Sequence, residues 1–157
     1  MSKVVFGFVV VAILVAGFIS SLSTNDNSEL QFSGEAVKVI TNCQRLPPTV
    51  AVSPTSRTGT PGSTNYYQIT VTNNNIGLSC GTSQFNLFDL NNHVGWTTSL
   101  FPNTLNLCSS GTCNVSANSY YSVISPTNAQ LGTYDFYVVA YESGQTAAGV
   151  VRADYVI

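Results

Sequence analysis

Charge is scarce in this sequence. Of its 157 residues only 8% are charged, 5 of them basic and 7 acidic, against about 25% in a typical soluble domain. Five lysines and arginines cannot build the basic face that neutralises phosphates, so we expect no nucleic-acid partner. The net charge of −2 and a hydrophobic fraction of 44% also exclude simple disorder, which needs high net charge and low hydrophobicity.

Small polar residues fill the gap that charge leaves. The chain has 19 serines, 17 threonines and 15 asparagines, but only one histidine. It lacks the richness in Ala, Glu, Lys and Leu that a coiled coil requires. The length suits one domain with a short appendage.

A long apolar run opens the chain. Residues 4–19 are apolar, and with residues 20–22 they give 19 residues, or about 28 Å of helix. This length lies between a signal-peptide core of about 7–15 residues and a full span of about 20. We expect residues 1–23 to form an uncleaved membrane helix, with Lys3 keeping the N-terminus inside. A cleaved signal peptide is the alternative, because Ser21 and Ser23 offer a small-x-small site. Either way, the rest faces the outer side of the cytoplasmic membrane or the extracellular space.

Residues 24–42 read as a linker that contains one short strand. The segment TNDNSE at residues 24–29 is polar and turn-forming, as in a stalk. After it, Val37, Val39 and Thr41 alternate with Ala36, Lys38 and Ile40, which is the period of a strand.

Residues 43–157 have β character throughout. Alternating segments at roughly regular spacing, separated by Asn, Gly and Pro turns, predict an all-β immunoglobulin-like sandwich of about seven antiparallel strands. Trp96, the single tryptophan, is expected in its core. The predicted strands cover residues 50–53, 66–73, 83–90, 114–125, 133–141 and 149–157, and residues 100–107 supply one or two short strands.

All four cysteines follow the apolar run. An even number in an exported chain indicates disulfides, and four cysteines allow three pairings. We favour Cys43–Cys80 and Cys108–Cys113, the second because CSSGTC closes a tight loop between two strands. A metal site is disfavoured, since there is no C-x-x-C and His93 lies in a different loop.

Several segments, taken in order, resemble a known family. The exported part resembles the NPCBM-associated NEW domain of the alpha-galactosidase group, an immunoglobulin-like accessory module found in secreted glycosidases and proteases. The segments that carry the resemblance, within residues 43–157, are CQRLPPTVAVSP, YYQITVTNNN, Cys80-Gly81, Gly95-Trp96, GTYDFYVVA and ADYVI.

The resemblance implies an accessory or spacer fold and no chemistry. In that family, a cysteine before the first strand pairs with one at the Cys-Gly position, which supports Cys43–Cys80. Two departures stand out. Cys108 to Cys113 replaces a loop that usually reads Pro-Gly-Ala/Ser, and the 157 residues contain no catalytic domain.

No combination of residues in the sequence favours catalysis. His93, with Asp89 four residues before it, reads as a turn, because no nucleophile elbow accompanies it. The carboxylates that could act as a hydrolytic pair are expected to be solvated surface charges; they are Asp89, Asp135, Glu142 and Asp154. We therefore predict that the protein is no enzyme and needs no cofactor or metal.

Two surface features suggest interactions. Tyr66, Tyr137 and Tyr141 are predicted to point outward, and three rings on one face could bind a sugar or a partner. Asn114 begins the only N-x-Ser/Thr sequon and could carry a glycan.

The sequence favours a membrane-tethered surface module with a structural, adhesive or accessory role. One alternative is a subunit of an extracellular filament, assembled by strand exchange with other copies through residues 31–41. Another is a module that binds a surface polysaccharide.

Overall fold

A computed structural model of the protein describes residues 28–32, 35–39, 42–77, 79–109 and 114–157. The chain divides into two compact units, Met1–Thr41 and Asn42–Ile157. Within the described ranges the regular structure is all β, as predicted. The helix expected over residues 4–19 lies outside them, and the described ranges hold no helix long and apolar enough to cross a membrane.

The described part of the first unit is a hairpin. Strand β1 (Ser28–Phe32) pairs antiparallel with β2 (Glu35–Val39), so that Ser28 is opposite Val39. Strand β2 lies where the alternation in residues 36–41 predicts a short strand, and Ser28 and Glu29, expected in a polar stalk, lie in β1. A single strand would leave its backbone N–H and C=O groups without hydrogen-bond partners, and β1 supplies those partners to β2.

The described residues of the second unit form nine strands rather than about seven. They form a four-stranded sheet of order β3-β5-β9-β7 and a five-stranded sheet of order β4-β11-β10-β6-β8. The strands are β3 (Thr49–Ser53), β4 (Ser56–Thr58), β5 (Thr64–Thr72), β6 (Thr82–Asp89), β7 (Thr97–Phe101), β8 (Thr104–Cys108), β9 (Ser116–Ile124), β10 (Thr133–Glu142) and β11 (Ala148–Val156).

Strand β4 accounts for one of the two differences from the prediction. It has three residues, too few to show a period, and it pairs parallel with β11, against the expected antiparallel pattern. The other lies in residues 97–108, where the prediction allowed one or two strands and the structure has two: Pro102 and Asn103 separate β7 from β8, and the two strands join different sheets.

The two sheets pack face to face around one core. In the longer strands alternate residues point inward, as the two-residue period of a strand requires. The four-stranded sheet contributes Tyr67, Ile69, Val71, Tyr121 and Val123, and the five-stranded sheet contributes Phe85, Leu87, Leu105, Leu107, Phe136, Val138, Ala140, Ala153 and Tyr155.

Trp96 lies in this core, as predicted, with 9% of its surface exposed. Its ring centroid is 4.5 Å from that of Tyr134, 5.2 Å from that of Phe136 and 5.0 Å from that of Tyr155. These are the separations that aromatic pairs prefer. The tryptophan therefore closes one end of the space between the sheets.

Candidate functional site

The three tyrosines expected on one face do not share it. Tyr66 lies on β5 of the four-stranded sheet, whereas Tyr137 and Tyr141 lie on β10 of the five-stranded sheet. Tyr66 is exposed, and the other two are half-buried. The grouping fails because a period of two places a residue on one side of its own sheet, but it cannot tell which strands belong to which sheet.

The four-stranded sheet carries no charged residue. Its strands β3, β5, β7 and β9 read TVAVS, TNYYQITVT, TTSLF and SANSYYSVI. The charged residues of the second unit all lie elsewhere: Arg45, Arg57, Asp89, Asp135, Glu142, Arg152 and Asp154. The outer face of this sheet is therefore a neutral surface built from small polar residues, aromatic rings and the exposed Ile124.

Three exposed aromatic residues lie on adjacent strands of that outer face. Tyr66 on β5 is 61% exposed, Tyr120 on β9 is 59% exposed and Phe101 on β7 is 79% exposed. Phe101 is directly opposite Tyr120, and Tyr66 is opposite Ser122, two residues from Tyr120. We call Tyr66, Phe101 and Tyr120 the aromatic row. Phe101 and Tyr120 were not predicted as surface aromatic residues, although a buried Tyr121 requires its neighbour Tyr120 to point outward.

Neutral hydrogen-bonding groups surround the aromatic row. The Thr70 hydroxyl donates to Asn118 Oδ1 at 2.9 Å, and the hydroxyls of Ser99 and Ser122 are 2.7 Å apart. Gln68 is exposed and lies directly opposite Tyr120. Each hydroxyl in such a pair keeps further donor or acceptor capacity, so the face can also bond an external polar ligand.

The outer face of the five-stranded sheet has a different, charged character. Asp135 is opposite Asp154 and Tyr137 is opposite Arg152. A hydrogen bond with Tyr137 lowers the pKa of the Asp135 carboxyl, and the same bond raises the pKa of Tyr137. Arg152 Nε donates to Asp154 Oδ1 at 2.7 Å, which raises the pKa of the arginine. These groups form an exposed network of alternating sign.

His93 lies in a turn, and its side chain packs against neighbouring aromatic rings. Its backbone N–H donates to Asn91 Oδ1 at 3.0 Å, in agreement with the predicted turn. Its ring lies 5.1 Å from that of Phe136 and 5.5 Å from that of Tyr134, and Nε2 is 2.9 Å from the Asp135 carbonyl oxygen. The ring thus packs against the rim of the core.

Asp89 and Glu142 do not behave as solvated surface charges. Asp89 is half-buried and accepts a hydrogen bond from the Thr98 hydroxyl on the opposite sheet. Burial, and then the negative charge of Asp89, raise the pKa of Tyr121. Glu142 is buried because β10 continues one residue beyond the predicted strand, and its last position faces inward.

Glu142 belongs to a buried polar cluster. Its carboxylate is ion-paired with Arg45 and accepts a hydrogen bond from Asn75 Nδ2 at 2.9 Å. Arg45 Nη1 donates to Ser83 Oγ at 2.8 Å, and the Leu46 N–H donates to Asn75 Oδ1 at 2.8 Å. The cluster attaches the segment before β3 to β6, to β10 and to the loop that follows β5. Among the described residues no group of three or more metal-ligating side chains occurs.

The disulfide Cys43–Cys80 is confirmed, with a Cα–Cα distance of 4.6 Å. Gln44 and Ile76 form a β-bridge next to it, so the same segment is attached twice. Cys108 is also disulfide-bonded, and its predicted partner Cys113 lies outside the described residues. Asn114 is exposed, as a glycan acceptor must be.

No family model and no curated protein matches the sequence. Among solved structures, 24 chains match. One is a family 123 glycoside hydrolase from Clostridium perfringens, with a TM-score of 0.50 and 10% identity over 71% of this chain and 27% of that chain. Another comprises domains 4 and 5 of the S-layer protein SbsC, with a TM-score of 0.40 and 13% identity over 80% of this chain and 60% of that chain.

The likeness to the hydrolase shows a β-rich fold and nothing of the chemistry. This chain spans about a quarter of that enzyme, whose activity is the hydrolysis of glycolipid glycans. The resemblance to the NPCBM-associated NEW domain stays a prediction.

Proposed function

We propose that the protein is an exported, non-catalytic surface module, tethered to the membrane through residues 1–23, with a structural, adhesive or accessory role. The observation that carries the proposal is the Cys43–Cys80 disulfide inside the sandwich. Disulfides persist in oxidising compartments and are rare in the cytosol. The 16-residue apolar run at residues 4–19 supplies a route for export and an anchor.

The strand order supports an immunoglobulin-like fold. In such domains one sheet holds the first, second, fifth and fourth strands, and the other holds the third, sixth and seventh. Here β3-β5-β9-β7 corresponds to the first sheet, and β11-β10-β6 corresponds to the second. The departure is the additional strand β8. It follows β7, which occupies the fourth-strand position, but it lies beside β6 in the other sheet.

The surroundings of the acidic residues support a non-catalytic role. Glu142 is neutralised by Arg45, Asp154 is paired with Arg152, and Asp89 is bonded to Thr98. A hydrolytic pair needs two carboxyl groups that flank one substrate-sized space. These three carboxylates are instead engaged with separate partners, and Asp135, which is opposite Asp154, is hydrogen-bonded to Tyr137.

Cell fractionation tests this proposal. The full chain is produced in its host with and without residues 1–23, and intact cells are treated with a membrane-impermeant protease. We expect the full chain to remain with membranes after alkaline extraction and to be cleaved from outside. The truncated chain should stay inside with reduced cysteines. Full-length protein protected from the external protease would overturn the proposal.

A second candidate, strand exchange, is favoured by one feature of the four-stranded sheet. Its edge strand β7 has neither charge nor proline between Thr97 and Phe101, although edge strands commonly carry such groups to prevent pairing with other chains. The segment predicted to exchange, residues 31–41, includes the end of β1 and all of β2, so the paired strands β1 and β2 of another copy could add to this edge through backbone hydrogen bonds.

A further inference from the structure

We propose that the outer face of the four-stranded sheet binds an uncharged polysaccharide, with the aromatic row as its platform. The proposal goes beyond export and tethering, because it assigns a ligand class to a surface. It also moves the sugar face away from Tyr137 and Tyr141, which lie on the charged side of the sandwich.

The absence of charge decides what the face can bind. A phosphate, a sulfate or a uronic acid would lose water without gaining a counter-charge anywhere on β3, β5, β7 or β9. A neutral ligand has no charge to desolvate, and the hydroxyls and amides of this face can pair with its polar groups. This complementarity excludes acidic glycans and nucleic acids and favours a polymer of neutral sugars.

The spacing of the rings suits several sugar units. Directly opposite residues such as Phe101 and Tyr120 have Cβ atoms about 5 Å apart, and diagonal neighbours such as Tyr66 and Tyr120 are about 7–8 Å apart. Across two strand spacings and two residues, the row extends about 12 Å. Sugars present apolar C–H faces that stack on rings, and hydroxyl edges that need polar partners.

The arrangement of the rings favours a glycan over a second copy of this chain. None of the three rings is in a ring-to-ring contact with another among the described residues, so each keeps a free face. Polar side chains lie between and beside them, including Gln68 and the Ser99–Ser122 pair. A protein interface core is instead a contiguous apolar patch with few polar groups.

Affinity electrophoresis tests the proposal on the full chain in a mild detergent. Native gels contain dextran, mannan, galactan or a soluble β-glucan, and hyaluronan serves as the charged comparison. We expect retardation in at least one neutral gel and none in hyaluronan. The triple variant Tyr66→Ser, Phe101→Ser, Tyr120→Ser should bind about tenfold more weakly or worse, because each lost stacking contact lowers affinity several-fold.

A matched control separates this face from aromatic content in general. Phe88→Ser with Tyr141→Ser removes an aromatic pair, with centroids 5.7 Å apart, from the other outer face and should leave retardation unchanged. An unchanged thermal unfolding midpoint confirms folding, and Tyr66→Ser alone replaces the triple variant if that variant does not fold.

Three results would overturn the proposal. The first is no retardation in any neutral gel, and the second is equal loss of binding in the control. The third is sedimentation of the wild type as a dimer that the triple variant abolishes, which would assign the face to a second copy.

Discussion

The carboxylate of Glu142, at the end of β10, is ion-paired with the guanidinium of Arg45, in the segment that precedes β3. The Glu142 side chain is 4% exposed, whereas that of Arg45 is 40% exposed. The arginine thus covers a buried charge from the surface and joins the beginning of the second unit to one of its last strands.

Removing Arg45 should therefore destabilise the sandwich. Arg45→Ala leaves the Glu142 carboxylate buried with Asn75 as its remaining polar partner, and we expect a loss of about 2 kcal/mol in the free energy of unfolding. Arg45→Ala with Glu142→Gln should recover part of the loss, because no unpaired charge remains. Urea denaturation measures both. The control is Arg152→Ala at the exposed pair with Asp154, which should change stability little. Equal losses at the two sites would contradict this account.

The two disulfides should contribute unequally. Cys43 and Cys80 are separated by 37 residues, and chain-entropy arithmetic assigns such a loop about 4 kcal/mol, against about 2 for the short loop predicted between Cys108 and Cys113. Cys43→Ser with Cys80→Ser should therefore lower the free energy of unfolding more than Cys108→Ser with Cys113→Ser.

Peptide mapping without reduction checks the pairing itself. We expect one peptide that joins Cys43 to Cys80 and another that joins Cys108 to Cys113. A peptide that links Cys108 to any other cysteine would show that the predicted second bridge is wrong.

Stability should fall at high pH because of a buried tyrosine. Burial, and then the neighbouring Tyr155, raise the pKa of Tyr67 from 10.0 to about 12. Because the pKa of Tyr67 is higher in the folded state than in the unfolded state, the protonated hydroxyl stabilises the fold. This stabilisation is fully present below about pH 10 and is lost as the pH rises toward 12. The full loss is about 3 kcal/mol.

The pH dependence of Tyr67→Phe tests this assignment. The hydroxyl of Tyr67 donates to the Asp154 carbonyl oxygen at 2.8 Å, so the variant is less stable at neutral pH, but its stability should decline less steeply between pH 10 and 12. Chemical denaturation at several pH values gives both slopes. Parallel slopes for wild type and variant would assign the alkaline transition to other groups, Tyr121 among them.

Strand exchange predicts a crosslink between copies. If residues 31–41 of one copy add to β7 of the next, electron microscopy of native protein should show regular filaments. Val37→Cys in one copy and Ser99→Cys in another should form intermolecular disulfides when mixed and oxidised. Val37→Cys with Gln84→Cys, on the other sheet, is the control. Single particles without filaments, together with no crosslink above the control, would remove this candidate.

Local pattern was sufficient for much of the fold. The period of two in residues 66–73 and 133–141 predicted strands whose inward residues Ile69, Val71, Phe136 and Val138 are all buried. Burial of Trp96 and the Cys43–Cys80 bridge were also anticipated. The strands follow from alternation and turn residues, which neighbouring positions carry, whereas cysteine parity leaves three pairings open and the family resemblance supports Cys43–Cys80.

The alternation of residues along each strand could not predict which strands share a sheet. Tyr66, Tyr137 and Tyr141 all point outward by their strand periods, yet they lie on different sheets, and the row formed with Phe101 and Tyr120 depends on which strands are adjacent. Glu142 and Arg45 are 97 residues apart in the chain, and no local rule pairs them. Alternation determines the side of a strand on which a residue lies, because it is a property of the backbone. The identity of the residues that meet across strands depends on the order in which non-local segments pair, and therefore the neutral face and the buried ion pair emerge only in the folded domain.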